Sequence, residues 1–174
     1  MTSEMLSKAI LFAVKAHEGQ YRKGDGRPYI LHPLSVMYRI DKNKKSSNRY
    51  LLAVAAILHD TVEDCGVTLE QIAKEFGYKV AALVDELTLD KEKYELLGKK
   101  EYLARELYGM SSYALAIKLC DRLDNVDDME SMTPAFQTKY KEETLFILER
   151  IKGRKLTKTH KKLIKQINKV LEKY

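Results

Sequence analysis

The stretch Leu51-Leu52-Ala53-Val54-Ala55-Ala56-Ile57-Leu58-His59-Asp60-Thr61-Val62-Glu63-Asp64 sets four ionisable side chains directly behind an unbroken apolar run. Such a run reads as a helix buried on all sides, predicted here from about Arg49 to Asp64. On one continuous helix His59 and Glu63 stand a turn apart, as do Asp60 and Asp64. All four then fall within an arc of roughly 140° at about 100° per residue. Carboxylates crowded beside an imidazole, partly out of water, repel one another unless a cation or a substrate compensates them. A divalent metal is the economical compensation. A purely structural role would leave several buried charges in need of partners that the neighbouring sequence does not supply.

Working outward, the same helical grammar fills the chain. A first helix is predicted over about Ser3 to Gly19 from the spacing of Met5, Ala9, Phe12, Ala13 and Ala16. A Gly-rich loop, Gln20 to Tyr29, follows, and Pro33 suits the first turn of the next helix. Asp41 to Asn48 is polar and reads as a loop. Thr68-Leu69-Glu70-Gln71 has the form of a capping box, with Gly77 as the stop of its helix. Further helices are expected over about Tyr78 to Leu87 and Glu95 to Tyr108. A second largely apolar run, Tyr113 to Leu119, again ends in acids, at Asp121 and Asp124. Thr133-Pro134 reads as an N-cap and first-turn proline for a helix to about Lys152. No alternating strand pattern and no repeat interrupts this series, so an all-α fold is expected.

The 174 residues suit one domain with a real core, and 45% hydrophobic with 32% charged residues is ordinary for a globular chain. The net charge of +6 is not spread evenly. Residues 152–174 carry nine Lys/Arg against Glu172 alone, a net +8, which leaves −2 for the rest. Leu156, Leu163, Ile164, Ile167, Val170 and Leu171 recur at helical spacing there, so residues 156–174 read as an amphipathic last helix docked by its apolar stripe, rather than a nucleic-acid or membrane surface. His160, within this tail, is expected to be solvated. The apolar segment Ala9 to Val14 is too short for a signal peptide or a span. Cys65 and Cys120 have no metal-knuckle spacing and read as small reduced thiols, which fits a cytoplasmic chain.

His59-Asp60, with His32 upstream and Asp121 downstream, resembles the ordered His, His-Asp, Asp motif of the HD metal-dependent phosphohydrolases. The segments Ala16 to Lys23, Pro28 to Pro33, His59 to Asp64 and Lys118 to Asn125 resemble more closely the hydrolase domain of the RelA/SpoT family. The likeness spans roughly residues 1 to 150, and the length resembles that of stand-alone small alarmone hydrolases. It implies a compact helical HD-domain fold over residues 1–174, with the motifs inside residues 16–125. The implied activity is removal of the 3′-pyrophosphate from ppGpp and pppGpp.

That resemblance implies one Mn²⁺ per site, held by His32, His59, Asp60 and Asp121, and a mixed nitrogen and oxygen donor set suits such an ion. Glu63 and Asp64 then become the residues that position and deprotonate the attacking water. Arg22 and Lys23 would meet the anionic nucleotide, Asn125 the substrate, and Tyr140 the ribose or 3′-pyrophosphate. His17 is read as a structural histidine buttressing the site. Three departures stand out: the loop Gly24-Asp25-Gly26-Arg27 is about one residue longer than the common family form, Asp124 stands where many relatives have histidine, and Cys120 replaces the more usual alanine before Asp121. Three alternatives remain open at this stage: another ribose-phosphorylated nucleotide such as ppApp or NADPH as substrate, a non-catalytic nucleotide- or partner-binding module, and RNA binding by the tail.

Overall fold

The computed structural model describes residues 2–174, and among these every regular element is helical. The expected all-α class is therefore observed. The one piece of β pairing among them is an isolated bridge between Tyr21 and Pro28. The chain divides into two compact units, residues 1–88 and residues 89–174.

In the first unit the helices are α1 (Ser3–Ala16), α2 (Leu31–Asn43), α3 (Arg49–Leu58), α4 (Thr61–Cys65), α5 (Leu69–Phe76) and α6 (Tyr78–Leu87). α3 is the centre. Every residue from Leu52 to Leu58 is buried, because α1, α2 and α6 all pack on this one helix. Burial of each Leu or Ile there contributes about 1.5–3 kcal/mol relative to exposure. The Thr68/Gln71 capping box forms as the sequence indicates, and α5 stops at Gly77.

The continuous helix expected through Asp64 does not form. α3 ends at Leu58, His59 and Asp60 make a turn, and α4 begins at Thr61. The Thr61 hydroxyl donates to the Leu58 carbonyl at 2.7 Å, taking a helix-terminal acceptor that would otherwise need another donor. Gly66, at φ 68°, closes α4 with its N–H on the Thr61 carbonyl, a left-handed cap that suits glycine. The four ionisable groups therefore do not share one helical arc. The polar loop before α3 is also shorter than expected, since α2 runs on to Asn43.

The second unit holds α7 (Lys91–Leu97), α8 (Lys99–Gly109), α9 (Ser112–Asp127), α10 (Pro134–Arg150) and α11 (Lys158–Leu171), with 3₁₀ turns at Asp128–Ser131 and Ile151–Gly153. The single helix expected around Glu95 to Tyr108 is two, divided at Gly98, whose φ of 76° no helix accommodates. α9 is buried nearly all round, with α11 and α10 against it. Thr133 and Pro134 start α10 as expected, the Thr133 hydroxyl accepting from the Phe136 N–H. The Arg154 guanidinium donates to the Leu107 and Met110 carbonyls, both at 2.6 Å, and so satisfies the open end of α8.

α11 docks through buried Leu163, Ile167 and Leu171, the stripe the sequence indicates. His160 is not solvated but fully buried. Its Nδ1 accepts from the Thr157 N–H at 3.2 Å, and its Nε2 lies 2.8 Å from the Ser112 carbonyl, so the ring is both an N-terminal cap and a pin onto α9. No described helix is long and apolar enough to cross a membrane.

Candidate metal centre and active site

The break after α3 aims the His59-Asp60 pair. His59 Nδ1 lies 2.8 Å from the Ala56 carbonyl, which can only accept, so the proton belongs on Nδ1 and a neutral ring keeps its lone pair on Nε2. That Nε2 faces Asp60 Oδ1 at 3.1 Å. A lone pair against a carboxylate oxygen needs either a second ring proton or a cation shared by both. His32, placed by the first turn of α2, brings a further nitrogen: its Nε2 is 3.8 Å from Asp60 Oδ2, and its ring centroid is 5.4 Å from that of His59. All three side chains are buried or nearly so. Two imidazoles and a carboxylate converging out of water fit a divalent ion of the Mn²⁺, Fe²⁺ or Zn²⁺ kind better than a purely structural cluster.

Tyr29 was not singled out from the sequence, yet it organises this end of the unit. Its hydroxyl donates to Asp60 Oδ2 at 2.7 Å, and its ring lies 4.9 Å from that of His17. The Arg22 guanidinium sits 5.8 Å from the same ring, so Arg22 approaches the cluster, whereas Lys23 is exposed at the loop surface. His17 in turn holds Gln20 Oε1 at 2.8 Å, and Gln20 donates to the Asp64 carbonyl at 3.1 Å. This tie is what makes His17 a buttress. The available signal was the position of Tyr29 and Gln20 at the two ends of the Gly-rich loop.

Glu63 is partly buried and Asp64 exposed, both on α4 directly after the candidate ligands. Although the residue is exposed overall, partial desolvation of the Asp64 carboxyl raises its pKa, and the Asp60 charge adds to this, while His17, His59 and Tyr29 pull it back. Burial first, then the Asp64 charge, pushes the Cys65 thiol up to about 11, beside His17 at 3.2 Å.

In the second unit Asp121 is buried on α9, where Asn125 donates to its Oδ1 at 2.6 Å and Lys118 Nζ stands 3.0 Å from its Oδ2. Asp124 is buried as well, so the negative charge that departs from the family pattern does not point outward. Arg122 is buried against Glu143, 2.8 Å from its Oε1, with Lys99 Nζ 3.3 Å from the other carboxylate oxygen. The Arg122 guanidinium lies 4.7 Å from the Tyr140 ring, which stacks on Phe136 at 5.5 Å. Burial pushes the Tyr140 phenol up to about 12.

Residues 9–156 match the family model described as "HD domain". This chain belongs to the HD-domain family. Among HD-domain relatives, it is 34% identical over 169 residues to human guanosine-3′,5′-bis(diphosphate) 3′-pyrophosphohydrolase MESH1, covering 92% of this chain and 93% of that protein. The MESH1 of Mus musculus is 35% identical over 142 residues, which cover 81% of this chain and 78% of the mouse protein. A guanosine-3′,5′-bis(diphosphate) 3′-pyrophosphohydrolase of Vibrio cholerae is 37% identical, over 83% of this chain but 21% of its own length. A solved structure, reported under the words "A metazoan ortholog of SpoT hydrolyzes ppGpp and plays a role in starvation responses", superposes with a TM-score of 0.84 at 26% identity and covers 99% of this chain and 97% of its own. The HD domain implies a divalent metal, and the His32, His59 and Asp60 donor set suits one.

Proposed function

We propose that this HD-domain chain is a metal-dependent guanosine-3′,5′-bis(diphosphate) 3′-pyrophosphohydrolase acting in the cytoplasm, converting ppGpp and water to GDP and pyrophosphate, and pppGpp to GTP and pyrophosphate. The observation that carries this reading is the convergence of His32, His59 and Asp60 just ahead of Glu63 and Asp64, in a chain alike over nearly its whole length to enzymes bearing that name.

On this reading residues 1–174 are a single hydrolase domain. His32, His59 and Asp60 hold a single Mn²⁺, and Asp121 is the fourth ligand by its place in the motif order. When bound, such an ion supplies Lewis acidity toward a phosphate oxygen and makes water more acidic. Glu63 and Asp64 orient the water and take its proton; the upward shift of the Asp64 pKa makes that carboxylate a better base near neutrality. The water oxygen bonds to the phosphorus carried on the ribose 3′ oxygen. The bond from that phosphorus to the 3′ oxygen breaks, the 3′ oxygen gains a proton, and pyrophosphate leaves.

Tyr29 holds Asp60 in orientation through its hydroxyl, and Asn125 does the same for Asp121 while also meeting substrate. Arg22 and Lys23 bind the nucleotide, Arg22 through phosphate or base and Lys23 as a point charge. Tyr140 donates to the ribose or the 3′-pyrophosphate. The deciding experiment incubates the purified protein with ppGpp, with and without Mn²⁺, and separates the products. GDP and pyrophosphate that appear only with metal support the proposal, and a folded, metal-loaded protein that leaves ppGpp intact refutes it.

A further inference from the structure

The basic tail has no part in the proposed chemistry, and its geometry points to a use of its own. Beside α11 runs an open groove of about 530 Å³, floored by Leu156 and Ile164 and edged by Lys152, Lys161, Lys165 and Lys169. Lys161, Lys165 and Lys169 recur every fourth residue, so they line one side of the helix over about 12 Å at 1.5 Å per residue. Lys152 pairs with Glu149. The other three make no ion pair among the described residues, and the acid on the groove, Glu172, stands at its far end. The opposite side of α11 is already occupied by its packing on α9. Repeated like charges at this spacing oppose helix formation, and an anionic occupant removes the opposition.

We propose that this groove is a docking site for an acidic amphipathic helix of a partner protein, whose apolar side chains rest on Leu156 and Ile164 while its carboxylates meet the three lysines. The shape and lining distinguish this occupant from other polyanions. A nucleic acid strand would call for aromatic side chains or arginine to stack its bases, and the groove lining holds neither. An anionic membrane would call for large apolar side chains projecting outward, whereas the large exposed apolar residues of the described chain all lie outside α11. A concave strip with an apolar floor and lysines at helical spacing is complementary to the i, i+4 pattern of a second helix.

The test uses the full-length protein and a labelled synthetic peptide of about 16 residues, with leucines on one helical face and glutamates flanking them, followed by fluorescence anisotropy. Controls are a scrambled peptide of equal composition, single-stranded poly(U), and vesicles containing phosphatidylserine. Saturable binding of the ordered peptide is expected, weakened at least about tenfold by K161E/K165E/K169E and similarly by Ile164→Ser. Circular dichroism and ppGpp turnover, unchanged in these variants, confirm that they remain folded. Equal binding of the scrambled peptide overturns the proposal, as does indifference to the lysine substitutions. Lysine-dependent binding of poly(U) or vesicles tighter than that of the ordered peptide also overturns it.

Discussion

Removal of the Glu143 carboxylate tests whether the second unit is organised around its buried charges. Arg122 and Glu143 are 6% and 7% exposed, so Glu143→Ala strands a guanidinium where water cannot reach it. Breaking one side of a buried pair costs about 3–5 kcal/mol. Two contacts moderate the loss here. The Tyr140 face beneath Arg122 retains a cation–π attraction of up to about 2 kcal/mol, and the Thr144 hydroxyl stays 3.4 Å away as an acceptor. Lys99, more exposed, swings into water at little cost. The expected destabilisation is therefore near the lower end, about 3 kcal/mol. For a chain of this length that corresponds to a fall in Tm of roughly 6–12 °C. Glu143→Gln keeps an acceptor but loses the charge, and should fall between wild type and Glu143→Ala. The double variant Arg122→Met/Glu143→Leu removes the buried charge altogether and should recover much of the loss. Thermal and urea unfolding followed by circular dichroism measure all four proteins. A loss below about 1 kcal/mol for Glu143→Ala, or a double variant no better than that single one, would refute the reasoning.

Three further outcomes are expected. Asp60→Ala should abolish metal binding and ppGpp turnover together, whereas Glu63→Ala should keep the metal, measured by calorimetry, and lose about 10²- to 10⁴-fold in kcat; full activity in Glu63→Ala would remove it from water activation. With its thiol raised to about 11, Cys65 should be alkylated slowly at pH 7. The thiolate is the reactive form, so the rate should climb about tenfold per pH unit through pH 9 and level off only near 11; a plateau by pH 9 contradicts this. His160→Ala removes both the reciprocal cap of α11 and the partner of the Ser112 carbonyl, an expected loss of about 2–3 kcal/mol in urea unfolding.

What could be read from the sequence was whatever chemistry is local to it. Thr68 with Gln71, Thr133 with Pro134, and the Tyr78–Leu87 helix follow from caps and periodicity alone. The turn at His59-Asp60 carries neither Gly nor Pro. His59 keeps helical angles (φ −58°, ψ −33°) and Asp60 departs only to φ −97°, ψ −5°, so an apolar run followed by polar residues still looks like one helix. Gly98 lies inside a polar helical stretch, where a lone glycine is often tolerated, and only its positive φ makes it a stop. His160 reads as a solvated residue in the sequence because a histidine in the third helical position is not the usual Glu or Gln of a capping box. Among the site residues, the resemblance to the HD family implied His32, His59 and Asp60, and these three do converge, whereas the role of Tyr29 depends on the path of the loop back to Asp60. No local pattern encodes that path.

The Gly-rich loop is fastened at its base by backbone rungs, and its tip is held by contacts of its own, the Gly26 N–H on the Arg22 carbonyl and the Arg27 N–H on Asp25. The Tyr29 N–H donates to the Gln20 carbonyl at 2.9 Å and the Arg22 N–H to the Arg27 carbonyl at 2.8 Å, so Arg22 and Tyr29 are fixed by the rungs beneath them. A residue added within Gly24-Asp25-Gly26-Arg27 would be absorbed above those rungs, where Gly26 at φ 70° turns the chain. Lengthening such a tip adds little closure entropy, roughly 0.6 kcal/mol for each doubling. Natural variation or an engineered insertion can therefore alter what meets an incoming molecule at the rim while the geometry around Asp60 is inherited unchanged. On the proposed function, the loop tip is the place where relatives of this chain can diverge in recognition without renegotiating their chemistry.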